Sequence, residues 1–260
     1  MSIVLRSAAE IEKLARVNAL VARVLKELAA AVKPGVTTKY LDELAEKRLT
    51  EAGAEPAFKG YHGYPATICA SVNEQVVHGI PSERALIEGD IISIDMGAKL
   101  DGCYGDSAVT VPVGRVTEEA ERLLQVTKTA LDRAVAAVKA GARVSDIGAA
   151  VQSYVEANGF SVVREFVGHG IGTALHEEPQ IPNYGTAGRG PRLEKGMALA
   201  IEPMVNAGKP AVKVLGDGWT AVTKDKALSA HFEHTVIVTE EGCRVLTLPD
   251  AAIEADRVSA

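Results

Sequence analysis

The stretch 90-DIISIDMG-97 decides how this chain is to be read. Ile91, Ile92 and Ile94 mark a buried β-strand, and Asp95 stands at the end of the apolar run. A lone carboxylate in apolar surroundings costs several kcal/mol and ordinarily takes up a proton. An ionised Asp95 therefore needs a partner, and the rest of the sequence has to supply it.

The same phrase recurs. 88-EGDIISIDMG-97 aligns with 195-KGMALAIEPM-204 at an offset of 107 residues, which sets Asp95 over Glu202. 32-VKPG-35 aligns with 138-VKAG-141 and Gly53 with Gly159, each 106 apart, and 62-HG-63 aligns with 169-HG-170, 107 apart. Around these anchors the secondary structure repeats as well. Ile11, Leu14, Val17, Val21, Leu25 and Leu28 share one face of a helix over 9–32, broken by Pro34-Gly35, and a second helix over 38–52 stops at Gly53. Strands are predicted at 67–72, 91–96 and 107–113, with a hairpin turn at Asp101-Gly102. Helices at 117–139 and 145–157 then precede strands at 197–202, 220–223 and 233–239. This is an α/β (α+β) chain of two halves, roughly 1–115 and 116–250, each of two helices followed by strands, within a single domain spanning 1–260. A pseudo-two-fold axis between the halves would bring Asp95 and Glu202 face to face.

Composition narrows the partners. The chain has 260 residues, 47% hydrophobic and 24% charged, with a formal charge of −6 and no long basic run. Neither a nucleic-acid groove nor an anionic membrane surface is expected. Only three consecutive apolar residues precede Arg6, too few for a signal-peptide core, and no membrane-spanning apolar run occurs. Cys69, Cys103 and Cys243 are widely spaced and odd in number, which fits a reducing cytoplasm and neither a disulfide framework nor a zinc knuckle.

Two facing carboxylates repel unless a cation holds both ionised. Asp106, Glu233 and His169 stand in the motifs 101-DGCYGDSAV-109, 229-SAHFEHTV-236 and 166-FVGHGIG-172. Four carboxylates and one imidazole form a hard-oxygen set with one borderline nitrogen, suited to a pair of divalent transition ions of the kind used for hydrolysis. Taken singly, each acid reads as a solvated surface group or strand cap. Their register within a repeat is what raises them above that.

Asp95, Asp106, His169, Glu202 and Glu233 resemble the five metal ligands of the methionine aminopeptidases, members of the pita-bread fold. The supporting strings are 60-GYHGYP-65, 76-VVHGIP-81, 168-GHGIGTALHEEPQIPNYG-185, 202-EPM-204 and 231-HFEHT-235, and the similarity runs from about residue 5 to 250. Only 30 residues separate Glu202 from Glu233, no room for the helical insertion of the type II form, and the Cys/His-rich N-terminal extension of eukaryotic type I enzymes is lacking. The short bacterial-type type I form is the match.

The resemblance implies antiparallel strands in one central sheet around a dinuclear site, and two divalent ions drawn from cobalt, manganese, iron or zinc. Asp95 would chelate one ion, Asp106 and Glu233 would bridge both, and His169 and Glu202 would complete the second position. A water activated between the ions would attack the first peptide bond, with Glu202 shuttling the proton. His78 and His176 would stabilise the tetrahedral species and position the substrate; without the resemblance, His78 in its apolar setting reads as a core histidine. Phe58, Tyr61, Tyr64, Cys69, Leu175 and Trp219 would line a pocket for the methionine side chain, with Phe58 at its edge. Aromatics make up only 4% of the chain, so three of them between positions 58 and 64 of a Gly-rich loop point to a lined pocket. Phe58 stands where some members have cysteine, Leu175 where some have phenylalanine, and His231 where glutamine is common. On a strand, His231 would share a face with Glu233 and serve as its hydrogen-bonding neighbour, not as a ligand.

The implied substrate is the N-terminal initiator methionine of nascent polypeptides with a small second residue, and the implied state a monomer, with ribosome association left open. Two alternatives stay open: a proline-directed or creatinase-like hydrolase, which normally carries a further N-terminal domain, and a non-catalytic relative that binds nascent chains or ribosomes, which usually lacks a ligand residue.

Overall fold

The structure is a computed structural model that describes residues 3–248. The ends of the predicted 1–260 domain, and of its second half at 250, therefore lie outside the described residues.

Among the described residues four α-helices form, close to where the sequence placed them. α1 (Ala8–Ala31) starts in a reciprocal cap: the Glu10 N–H donates to Ser7 Oγ at 3.4 Å, and the Ser7 N–H donates to Glu10 Oε2 at 2.8 Å. α2 (Thr38–Glu51), α3 (Glu118–Ala136) and α4 (Val144–Ala157) follow. Thr37 and Thr117 cap α2 and α3 by accepting from Tyr40 and Ala120. α3 ends three residues before the predicted 139. Gly35 and Gly141, just past α1 and α3, take φ of 89° and 87°, where a side chain would be strained. Their N–H groups donate to Leu86 O at 2.8 Å and Leu193 O at 2.9 Å.

The strands of the first half are β1 (Glu55–Pro56), β2 (Ile68–Val72), β3 (Gln75–Val77), β4 (Ile91–Leu100) and β5 (Cys103–Pro112). Those of the second are β6 (Ser161–Val162), β7 (Gly168–Gly170), β8 (Glu177–Ile181), β9 (Ala198–Ile201), β10 (Met204–Asn206), β11 (Val212–Val214), β12 (Ala221–Thr223), β13 (Ser229–His231), β14 (His234–Val238) and β15 (Cys243–Val245). β4 and β5 form a long hairpin whose turn at Asp101-Gly102 has φ of 52° and 78°, the left-handed pair that such turns require. β5 thus begins at Cys103, four residues before the predicted start.

One continuous central sheet was expected; among the described residues the strands form four hydrogen-bonded sheets instead. β4 pairs β5 on one edge and β2 and β1 on the other, and the five-stranded sheet runs β15-β14-β9-β7-β8. The remaining strands form two three-stranded sheets, β13-β10-β6 and β11-β12-β3. The interruption has a local cause. Pro203 has no N–H to donate between β9 and β10, and between β13 and β14 the Glu233 N–H leaves its ladder to reach Ala108 O at 2.9 Å. Glu202 and Glu233 consequently sit in these two breaks and not on strands. The alignment of 62-HG-63 with 169-HG-170 also fails: His62 lies on a 3₁₀ turn with φ 49°, whereas His169 is within β7, because the chain before β2 turns where the chain at β7 pairs with β9.

α1 and α2 bury Leu14, Val17, Leu25, Leu41 and Leu49 against Ile68, Ile92, Ile94 and Met96. α3 and α4 bury Leu123, Leu131, Ile147 and Val151 against Leu199, Ile201, Val236 and Val238. Side-chain hydroxyls sew β5 to the second half: Thr235 Oγ1 donates to Asp106 O, Ser107 Oγ to Glu233 O and Thr110 Oγ1 to His231 O, each at 2.8 Å.

Candidate metal centre and substrate pocket

Register places the acids. Asp95 lies opposite Ala108, and Gly97 opposite Asp106, so the two aspartates are diagonal neighbours on one face of the β4–β5 hairpin. Cys69 lies directly opposite Asp95 on β2 and shares that face. In the second half His169 faces Ala200, two residues from Glu202, and its Nε2 is 3.5 Å from Glu202 Oε1 and 3.9 Å from Asp106 Oδ2. Asp106, His169 and Glu233 each offer a ligand atom within 4.8 Å of the others, all three buried. Asn183 donates to the Glu202 carbonyl at 2.9 Å and holds the strand break in place.

The cluster calls for a cation. Burial lifts Asp95 to about 7, against an opposing pull from His231 that outweighs the repulsion from Glu202. Burial also lifts Glu202 to about 8. Asp106 and Glu233 are pushed well above the ordinary carboxylate range, first by burial and then by the neighbouring acids. Asp95 Oδ1, Asp106 Oδ1 and Glu233 Oε1 are buried without a hydrogen-bond partner, a costly state for carboxylate oxygens. His169 supplies the decisive detail. Its Nδ1–H donates to Gly170 O at 2.9 Å, and burial depresses its pKa to about 3, so Nε2 presents a lone pair to the oxygens of Glu202 and Asp106. Lone pairs facing one another at such distances are repulsive until a proton or a cation stands between them, and a backbone acceptor on the distal nitrogen is the usual support of a metal-ligating histidine. The donor set fits divalent ions.

Above the acids opens a pocket of about 360 Å³. All the residues predicted from sequence line it: Phe58, Tyr61, Tyr64, Cys69, His78, Leu175, His176 and Trp219 with the five candidate ligands. Tyr64 and Trp219 meet edge to face at 5.1 Å, and the Tyr64 hydroxyl is anchored on the carbonyls of Ile68 and Gly79 at 3.0 Å. His78 takes φ 60°, a left-handed conformation uncommon for a side-chain-bearing residue, with its ring edge to face on Phe166 at 5.4 Å. It is half-buried beside the pocket, not enclosed in the core, and burial lowers its pKa to about 4. His176 meets His169 edge to face with ring centroids 4.3 Å apart and shares a 2.8 Å hydrogen bond between Nδ1 and the Tyr61 hydroxyl. Burial, then the nearby His62, keep it below the usual histidine range. The ring of His231 faces Glu202, with Nε2 3.6 Å from Oε2, because the strand that would have aligned it with Glu233 ends at His231.

Two residues were missed. His62 lines the pocket mouth, although its motif was in view. Asn18 is fully buried on the apolar face of α1, accepts the Asp106 N–H at 3.3 Å and donates to Leu14 O at 2.9 Å. An asparagine among leucines and valines was the available signal.

A buried acid cluster with one histidine beneath an aromatic-walled pocket has the make-up of a metallopeptidase site. Residues 12–240 match the model of metallopeptidase family M24, and the chain belongs to that family. Methionine aminopeptidase 1 of Bacillus subtilis is 55% identical over 228 residues, 88% of this chain and 92% of the relative. The Escherichia coli methionine aminopeptidase is 46% identical over 250 residues, 95% of each chain. The crystal structure of methionine aminopeptidase from Thermotoga maritima superposes with a TM-score of 0.94 at 47% identity, covering 95% of this chain and all of that one, so the pita-bread fold is shared.

Proposed function

We propose that this protein is a metal-dependent methionine aminopeptidase of the bacterial type I form, hydrolysing the first peptide bond of polypeptides that begin with methionine followed by a small residue. The observation that carries the reading is the convergence of five candidate ligands on the floor of a pocket walled by Tyr64, Cys69, Leu175 and Trp219. Two related halves acting as one catalytic domain fit the matching hydrogen bonds of Gly35 and Gly141.

Asp95, Asp106, His169, Glu202 and Glu233 would hold two divalent ions, cobalt, manganese, iron or zinc, and such ions supply Lewis-acid activation of water and of the scissile carbonyl. Which metal serves depends on geometry and supply more than on ligand type. The chain's own residues perform the rest. Glu202, on the pocket side, accepts a proton from the attacking water and returns it to the departing amine. His78 and His176 are neutral at pH 7 and donate N–H groups to the oxygen that gains charge. Tyr61 orients His176 through its hydroxyl. The aromatic walls suit the long, polarizable side chain of methionine, and the confined space beside the acids excludes bulk at the second position. We read the protein as a cytoplasmic monomer acting on nascent chains. Among the described residues no helix is long and apolar enough to cross a membrane.

Hydrolysis of a Met-Ala-Ser peptide and of an Xaa-Pro peptide, each with and without chelator, tests the assignment. Chelator-sensitive cleavage of Met-Ala-Ser alone supports it. Preference for Xaa-Pro, or no hydrolysis of either with Mn²⁺ or Co²⁺ present, refutes it.

A further inference from the structure

Arg6 precedes α1 and is remote in sequence from every pocket residue, yet its side chain is only 3% exposed. Its guanidinium is ion-paired and hydrogen-bonded to Glu177 Oε2. Its backbone is fixed too, since the Arg6 N–H donates to Gly196 O at 2.8 Å. The guanidinium occupies the space that a Cβ on Gly172 would take, so glycine there is what lets the arginine pass. The other oxygen of the same carboxylate, Glu177 Oε1, accepts the N–H groups of Thr173 at 2.9 Å and Ala174 at 3.0 Å. One carboxylate thus ties the N-terminal segment to the loop 172–177. That loop presents Leu175 as a pocket wall and His176 above His169.

We infer that Arg6 is a positioning residue for His176, acting through Glu177; the inference rests on reading His176 as a transition-state donor. Without Arg6, the Glu177 carboxylate, 10% exposed, is a charge with no cation beside it. It gains by swinging toward water, and in doing so releases Thr173 and Ala174. The loop keeps the Tyr104 N–H to Gly172 O bond, the packing of Leu175 and the Tyr61 hydroxyl on His176, but loses the two bonds that fix residues 173 and 174 ahead of His176. Displacement of a catalytic group by about 1 Å can cost roughly 10²-fold in rate. None of the candidate metal ligands lies on this loop, so metal binding should be spared.

The test is a double-mutant cycle on the metal-loaded enzyme, with Arg6→Met, Arg6→Lys, His176→Ala and the combination of Arg6→Met with His176→Ala. Measured are kcat and KM on Met-Ala-Ser and the Mn²⁺ affinity by calorimetry. Arg6→Met should lower kcat roughly 10- to 100-fold, change KM less, and leave Mn²⁺ affinity unaltered. Arg6→Lys, which keeps the charge and protects folding, should recover part of the loss. In the His176→Ala background Arg6→Met should add less than about a twofold loss, because both act through one group. A normal Arg6→Met enzyme beside an impaired His176→Ala enzyme overturns the inference alone. So does a fully multiplicative loss in the combination, or a loss that tracks weaker Mn²⁺ binding. Unchanged kcat in His176→Ala would sink the reading of His176 itself, and the inference with it.

Discussion

Stripping the ions should make the protein lose stability as pH rises, and Asp95→Asn should blunt that loss. In the unfolded chain Asp95 titrates near 3.8; in the folded, metal-free protein burial moves it to about 7. Between those values the native state keeps a proton that the unfolded state has released. Stability therefore falls as pH rises through that window and stays low above it. The difference corresponds to about 4 kcal/mol for this one group, an upper limit because water entering the pocket relaxes it. For a domain of this size that is a fall in melting temperature on the order of 10 °C. Ions bind the deprotonated acids, so loading should reverse the trend and return about 2.7 kcal/mol at a hundredfold excess over Kd. The assay is a set of melting curves from pH 4 to 9, with chelator or with Mn²⁺, for the wild type and Asp95→Asn. The variant should be inactive, should lose less stability above pH 5 without metal, and should respond less to Mn²⁺. A metal-free wild type whose melting temperature is flat or rising between pH 5 and 8 would refute the reasoning, as would an Asp95→Asn protein with wild-type activity and a wild-type Mn²⁺ shift.

His176→Ala should lower turnover by roughly 10²-fold without reducing metal content, which elemental analysis of the purified variant checks; metal lost in parallel would make His176 a ligand. Asn18→Leu keeps the branched outline at a larger volume and removes the acceptor for the Asp106 N–H, so it should cost about 1–3 kcal/mol of stability and weaken Mn²⁺ binding in calorimetry. Unchanged affinity would reduce Asn18 to a polar residue of the core. Met-Leu peptides should be cleaved far more slowly than Met-Ala peptides in a coupled methionine-release assay, and equal rates would deny the confined second position.

Whatever depends on short-range pattern was legible in the amino-acid order. The helices follow from apolar spacing and from Ser7, Thr37 and Thr117 as caps, and the β4–β5 turn follows from Asp101-Gly102. The offset that laid Asp95 over Glu202 singled out the acids before any geometry was known. The lining of the pocket was legible through the resemblance, since pocket walls drawn from residues 58 to 219 have no local signature. The rest depends on groups distant in sequence competing for the same hydrogen bonds. Glu233 leaves its strand because its N–H is taken by Ala108, and that split of the expected single sheet is what turns its side chain toward Asp106. His231 turns to Glu202 for the same reason. His62 and His169 look alike in the alignment, yet one lies on a turn and the other in a strand, because pairing with β9 is available only to the second. Arg6 carried no readable meaning, and Asn18 only the oddity of an asparagine among apolar residues: what each holds, the Glu177 carboxylate and the Asp106 N–H, lies 171 and 88 residues away, and only folding brings a hydrogen-bond donor and acceptor so separated into contact.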